Sequence, residues 1–153
     1  MIRLAENIWI GDSGDVYNLE VWNGVDLGEE MKISAVLNVA HDLRVLIGWP
    51  DVEYMHVGLV DGPGNAPAAY CAAVLALATL VARKHRVLVC CHTGGRSVAA
   101  AMMYLNVGVG RGWDDLLELL RERVDVRLPV PHAAHRAAFS RMNWRVLANM
   151  IRG

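Results

Sequence analysis

The chain has 153 residues, of which 54% are hydrophobic and 20% are charged, and this composition excludes a disordered or low-complexity protein. Fifteen basic and sixteen acidic side chains give a net charge of -1, so there is no electrostatic reason to expect binding to nucleic acid or to an anionic membrane. The length predicts a single domain spanning residues 1–153.

The first half of the chain is predicted to contain three strands and one long helix. A short strand over 6–10 ends at a Gly-Asp pair, and polar residues 13–32 predict a helical turn and loops. Aliphatic and β-branched runs predict strands over 33–39 and 52–57. Pro67 begins an Ala-rich helix to about Lys84, whose apolar run is shorter than the roughly 20 residues of a membrane span, so we expect a buried helix.

The second half is predicted to contain one strand and three helices. A buried strand covers 86–90, and helices follow from about Arg96 to Asn106, from Trp113 onward, and from about Ala133 to Arg152. Alternating strands and helices predict an α/β fold with a central, mainly parallel sheet of four to five strands flanked by helices.

The cysteines and histidines favour a reduced compartment without a metal. Cys71, Cys90 and Cys91 are odd in number and form no C-x-x-C pair, and the first residues have no secretory pattern, so we expect a cytoplasmic protein. His132 and His135 have no cysteine or acid nearby in sequence. We therefore interpret them as a surface pair and predict no metal site.

The segment after the strand at 86–90 has the pattern of an anion-binding loop. The strand runs into a loop with Gly94 and Gly95 that begins a helix, and N–H groups at such a loop and helix start bind anions. The planar fork of Arg96 can hold two phosphoryl oxygens. A cysteine at the start of the loop has a lowered pKa in this positive field and becomes a nucleophile.

These residues resemble the small dual-specificity phosphatases, which belong to the cysteine-dependent protein tyrosine phosphatases. Cys90, five further residues, Arg96 and Ser97 match the family signature, and Asp61 lies 29 residues before Cys90, where the family has its general acid. The resemblance implies a protein tyrosine phosphatase-like fold and hydrolysis of phosphotyrosine or phosphoserine/threonine through a cysteinyl-phosphate. It implies that Ser97 stabilises the leaving thiolate, and that no cofactor is needed.

The resemblance also implies which residues bind phosphate and which partners the protein has. The phosphate-binding residues would be those of the loop, namely Cys91, His92, Thr93, Gly94, Gly95 and Arg96. The substrate would be a phosphorylated protein or a small phosphomonoester. We expect a monomer that binds neither nucleic acid nor a membrane.

The loop departs from the family pattern in a way that leaves the nucleophile open. With Cys90 as nucleophile, Val89 and Thr93 stand where the family has His and Gly. Taking Cys91 instead restores the glycine as Gly94, but leaves only four residues before Arg96, a spacing that resembles the rhodanese sulfurtransferases. The sequence favours a phosphatase using Cys90. A sulfurtransferase using Cys91, or a non-catalytic phosphate-binding module, remains an alternative.

Overall fold

The computed structural model describes residues 1–25, 28–45, 51–123, 135 and 144–152. These residues contain a five-stranded sheet in the order β1-β2-β5-β3-β4. Its strands are β1 (Ile2–Ala5), β2 (Ile8–Gly11), β3 (Ala35–Ala40), β4 (Glu53–Leu59) and β5 (Val87–Cys90). Strand β1 pairs antiparallel with β2, and the other neighbouring pairs are parallel. The predicted α/β class with a mainly parallel sheet is confirmed.

Helices connect the strands and pack against the sheet. They are α1 (Ser13–Tyr17), α2 (Leu19–Gly24), α3 (Pro67–Ala82), α4 (Gly95–Val109), α5 (Trp113–Arg123) and α6 (Trp144–Arg152), with a 3-10 turn at Glu29–Met31. Helices α3 and α4 pack against each other, and α4 also contacts β2, β3, β5 and α6. Helix α4, which follows β5 directly, therefore lies against the centre of the sheet.

The prediction was least accurate near the N-terminus and at the element ends. It missed β1, a four-residue edge strand whose short pattern gives little periodicity to detect. It placed a helical turn and loops over 13–32, where two short helices, α1 and α2, form. Asp12 caps α1 and exchanges hydrogen bonds with Asp15 in a capping box. Of the last predicted helix, residues 133–134 and 136–143 lie outside the described residues.

The core lies at the centre of the sheet and under the Ala-rich helix. Every residue of β3 and β5 is buried, as expected for parallel strands covered on both faces. Helix α3 buries Tyr70 and several aliphatic side chains, which confirms the predicted buried helix. Across the described ranges, no helix is both long enough and apolar enough to cross a membrane.

Candidate active site

The carboxyl ends of four parallel strands meet at one edge of the sheet, and the predicted loop lies at its centre. Such an edge is the usual binding site in open α/β sheets. Strand β5 lies between β2 and β3, and its last residue, Cys90, is level with Gly11 on one side and Asn38 on the other. The chain leaves the sheet at Cys91, one residue later.

Cys90, which the sequence favours as the nucleophile, belongs to the strand and not to the loop. Its side chain is 0% exposed. Burial raises the pKa of its thiol to about 12, and the nearby Cys91 and Asp15 add to this rise because their negative charges oppose a second anion. At neutral pH the Cys90 sulfur is therefore a neutral thiol inside the core.

Cys91 has its sulfur inside the turn of the loop. The N–H of Gly94 donates to the Cys91 sulfur at 3.0 Å, and the Ser97 hydroxyl oxygen lies 3.6 Å from the same sulfur. Gly94 has a φ of 98°, a left-handed conformation that favours glycine. A glycine at position 94 therefore lets the main chain turn so that the N–H of Gly94 points at the Cys91 sulfur.

The loop and the first turn of α4 present a set of main-chain N–H groups without acceptors. Within the described part of the chain, no hydrogen-bond acceptor is found for the N–H groups of His92, Thr93, Gly95, Arg96 and Ser97. The N-terminus of a 15-residue helix adds a positive partial charge at the same place. Both features suit an anion held above the Cys91 sulfur.

Ser97 ties the loop to the sheet. It is fully buried, and its hydroxyl lies 2.9 Å from the carbonyl oxygen of Gly94 and 3.3 Å from that of Gly11. The single hydroxyl proton can be donated to one of these carbonyls at a time. Because the Cys91 sulfur is also within reach, rotation of the hydroxyl can direct that proton to a thiolate.

The guanidinium of Arg96 is held through Nη1, and its other two nitrogens have no partner among the described residues. The side chain is only 3% exposed, and Nη1 donates to the carboxylate of Asp42 at 2.8 Å and to the carbonyl of Leu59 at 2.9 Å. Among the described residues, Nε and Nη2 have no hydrogen-bond partner. Nε and Nη2 are the planar pair of donors that a guanidinium can offer to two oxygens of one anion.

Asp42 is a site residue that the sequence analysis missed. The hydrogen bond from Arg96 lowers the pKa of the Asp42 carboxyl, and the positive charges of Arg96 and of a protonated His92 act in the same direction. The Nδ1 of His41 and the Nε2 of His92 each lie 3.7 Å from this carboxylate. The position directly after a buried parallel strand was the signal that could have identified Asp42.

The turn that carries Asp42 is held by contacts from β3 and β4. Asn38 is buried and donates through Nδ2 to the carbonyl of Leu43 at 2.7 Å, while its Oδ1 accepts from the N–H of Ala40 at 2.9 Å. A side chain at Gly58 of β4 would come within 2.8 Å of the His41 Cβ. The absence of a side chain there allows β4 to approach this turn closely.

The predicted general acid, Asp61, lies in the loop that follows β4. Its side chain is exposed and makes no hydrogen bond or ion pair with the described residues. Strand β3 separates β4 from β5, so this loop and the Cys91–Arg96 loop share the carboxyl edge of the sheet without being sheet neighbours.

One prediction about the histidines was wrong. His135 was expected at the surface but is 1% exposed, with its Nδ1 2.6 Å from the Tyr70 hydroxyl. His132 lies outside the described residues. Within the described ranges, no group of three or more His, Cys, Asp or Glu side chains could hold a metal ion.

Comparison with known proteins identifies the fold as that of the dual-specificity phosphatases. The crystal structure of DUSP15 superposes with a TM-score of 0.75 at 18% identity, covering 99% of this chain and 94% of that one. Human DUSP28 gives a TM-score of 0.75 at 16% identity over 97% and 99% of the two chains. The predicted protein tyrosine phosphatase-like fold is thereby confirmed.

A viral enzyme has the same architecture. OH1 from the Orf virus, described as a tyrosine phosphatase, gives a TM-score of 0.68 at 22% identity and covers 91% of this chain and 83% of its own. No protein-family model matches the sequence, and a search of curated proteins finds no match either.

Proposed function

We propose that the protein is a phosphatase that hydrolyses phosphomonoesters of proteins or small molecules, with Cys91 as its nucleophile. The observation that carries this proposal is the position of the Cys91 sulfur, which accepts from the N–H of Gly94. Among the described residues, the other N–H groups of the loop have no acceptor, and Nε and Nη2 of Arg96 have no partner. The likeness of the fold to the dual-specificity phosphatases supports it. A tetrahedral dianion placed above the sulfur would satisfy the loop and the guanidinium together.

The choice of Cys91 revises the preference for Cys90 that spacing suggested. A nucleophilic cysteine reacts as a thiolate. The Cys90 thiol is fully buried in β5 with a pKa of about 12, whereas the Cys91 sulfur already accepts an N–H from the loop and has the Ser97 hydroxyl nearby. Both cysteines are buried, but among the described residues the Cys91 sulfur has hydrogen-bond donors from the loop within reach, and this geometry supports Cys91 as the nucleophile.

In the first step of the proposed mechanism, the phosphoryl group moves from the substrate to sulfur. The Cys91 thiolate attacks phosphorus, an S–P bond forms, and the bond between phosphorus and the ester oxygen breaks. Arg96 and the loop N–H groups hold the three non-bridging oxygens. Asp61 gives its proton to the leaving oxygen, so the alcohol or phenol departs neutral and Asp61 becomes a carboxylate.

In the second step, water releases inorganic phosphate and restores the enzyme. The water oxygen attacks phosphorus and the S–P bond breaks, while the Asp61 carboxylate takes a proton from the water. Cys91 leaves as a thiolate, and the Ser97 hydroxyl can turn from the Gly94 carbonyl towards the sulfur, 3.6 Å away. Every proton and bond is accounted for by these residues and water.

A sulfurtransferase is the second candidate, because only four residues separate Cys91 from Arg96. This spacing resembles rhodanese, in which the loop holds a persulfide sulfur instead of a phosphoryl group. The acceptor-free N–H groups suit either anion. The fold favours the phosphatase, and activity measurements separate the two.

The test is hydrolysis of p-nitrophenyl phosphate in the presence of EDTA, run beside thiocyanate formation from thiosulfate and cyanide. We expect metal-independent release of p-nitrophenol and no thiocyanate. Rapid acid quenching during turnover should trap phosphate on the peptide that contains Cys91, detected by mass spectrometry. Thiocyanate formation without phosphate release would replace the phosphatase with the sulfurtransferase. Binding of a phosphopeptide without either reaction would indicate the non-catalytic module.

A further inference from the structure

The loop that carries Asp61 is shaped by the side chain of a single residue, Asn65. The Oδ1 of Asn65 accepts from the N–H of Val60 at 2.7 Å, and its Nδ2 donates to the carbonyl of Val60 at 2.8 Å and to that of Gly62 at 3.3 Å. These contacts bracket Asp61 on both sides. Because Val60 both donates and accepts, the orientation of the Asn65 amide is fixed by its partners.

The main chain of this loop has an unusual course that needs such support. Gly62 and Gly64 have φ values of 98° and 108°, and glycines at such positions keep more freedom than other residues when contacts are lost. Helix α3 begins two residues after Asn65, at Pro67. The side chain of Asn65 therefore holds the loop close to the start of α3.

A buried pair of side chains holds Asn65 in turn. The Asn65 Nδ2 lies 3.2 Å from the hydroxyl of Tyr70, and that hydroxyl lies 2.6 Å from the Nδ1 of His135. Tyr70 and His135 are each 1% exposed. A hydrogen-bonded series therefore runs from the core through Tyr70 to Asn65 and on to the main chain around Asp61.

We propose that Asn65, supported by Tyr70, is a positioning residue that holds Asp61 where it protonates the leaving group; this inference rests on the proposed phosphatase function. Asn65 itself contacts no reacting atom. Its loss leaves the Cys91–Arg96 loop intact and removes the geometric constraint on Asp61. The defect is therefore confined to substrates whose leaving group needs a proton.

The test compares two aryl phosphates that differ in how much their leaving group needs a proton. p-Nitrophenol leaves readily as an anion, whereas phenol needs protonation. We expect Asn65→Ala to lower kcat for phenyl phosphate about 10-fold more than for p-nitrophenyl phosphate, with KM unchanged for both, since general acid catalysis contributes about 100-fold or more. Tyr70→Phe should give a smaller selective loss in the same direction.

A double mutant shows whether Asn65 acts through Asp61. Asp61→Asn alone should produce the larger selective loss, and adding Asn65→Ala should then cost no more, because residues that act as a unit are not additive. Equal losses for both esters, or losses that multiply in the double mutant, would overturn the positioning role.

Asn23 offers a matched control. It is also half-buried, and it binds the main chain of Ile33 in the same two-way manner, accepting from its N–H at 2.8 Å and donating to its carbonyl at 2.9 Å. Asn23→Ala should lose similar stability without changing the ratio between the two esters. A changed ratio in this variant would mean that general loosening explains the effect, and would overturn the proposal.

Hydrogen exchange separates failure of this inference from failure of the proposed function. In Asn65→Ala the N–H of Val60 loses its acceptor, so its exchange should be at least about 10-fold faster, since exchange reports local opening. Unchanged exchange at Val60 would overturn the positioning role of Asn65 and leave the phosphatase assignment standing. A wild-type protein that hydrolyses neither ester would instead overturn the phosphatase assignment, and the positioning role with it.

Discussion

The last residue of β5 and the loop that follows it differ sharply in electrostatic environment, although they are adjacent in the chain. Cys90 lies between two paired strands, fully buried, with burial raising its pKa to about 12. Cys91 lies where the sheet ends, and its sulfur accepts an N–H from Gly94. A shift of one residue thus separates a structural thiol from a candidate nucleophile, because ladder pairing occupies N–H groups that the loop leaves available.

The largest effect that this comparison predicts is the loss of activity on changing the loop cysteine. Cys91→Ser should lower kcat/KM for p-nitrophenyl phosphate at least about 1000-fold, because the hydroxyl remains protonated and is a far poorer nucleophile. The control is Cys90→Ala, which should change kcat/KM by less than about threefold, since that side chain touches no reacting atom. A large loss of activity in Cys90→Ala with little change in Cys91→Ser would show that Cys90 is the nucleophile and would contradict the contrast between the two cysteines.

The next largest effect is expected from replacing the planar guanidinium of Arg96. Arg96→Lys keeps the charge but loses the planar fork, so we expect kcat/KM to fall about 100-fold or more, as for loss of a donor to the transition state. Arg83→Lys is a matched control, because Arg83 pairs with Glu53 away from the loop. Binding of orthovanadate measured by competition should weaken in the first variant only. Equal behaviour of the two variants would contradict a fork-like role for Arg96.

The smallest effect is the pH dependence of alkylation and stability that the buried Cys90 thiol should cause. Because burial raises the pKa of the Cys90 thiol to about 12, this side chain stays a neutral thiol at pH 7, and iodoacetamide should leave it unmodified in the folded protein. Because the pKa of Cys90 is higher in the folded protein than in the unfolded chain, the buried thiol favours the folded state. This contribution to the free energy of unfolding is complete below the ordinary thiol pKa of about 8.5 and is lost as pH rises towards about 12.

Peptide mass spectrometry of alkylated protein checks this prediction. We expect modification of Cys90 only at alkaline pH or after unfolding, and we expect added orthovanadate to slow any modification of Cys91 in the folded protein. Cys71, which is partly buried and whose pKa is raised by burial, serves as an internal reference. Rapid modification of Cys90 at pH 7 would show that the end of β5 is more open than the structure describes.

The loop that carries Asp61 is held differently from the Cys91–Arg96 loop. The Cys91–Arg96 loop is anchored by the buried side chains of Arg96 and Ser97, whereas the loop around Asp61 is exposed and held through Asn65. In the proposed mechanism, the first arrangement keeps the anion-binding groups fixed, and the second makes the position of Asp61 depend on a few hydrogen bonds. We therefore expect single substitutions to affect substrate binding and leaving-group protonation separately.

The sequence alone determined the fold class and the location of the candidate site. Aliphatic runs at the spacing of buried strands, separated by helical segments, were enough to predict a parallel sheet. A strand followed by a Gly-rich loop, an arginine and a helix was enough to predict an anion site at Cys91–Arg96, because these local patterns have local physical causes.

Only the tertiary structure decided which side chains face that site and how they are held. The end of β5 depends on its register with Gly11 and Asn38, and that register places Cys90 in the sheet and Cys91 outside it. Arg96 meets Asp42, 54 residues earlier in the chain, and Tyr70 meets His135, 65 residues later. Such contacts arise from packing between distant segments, and periodicity within a short window carries no information about them.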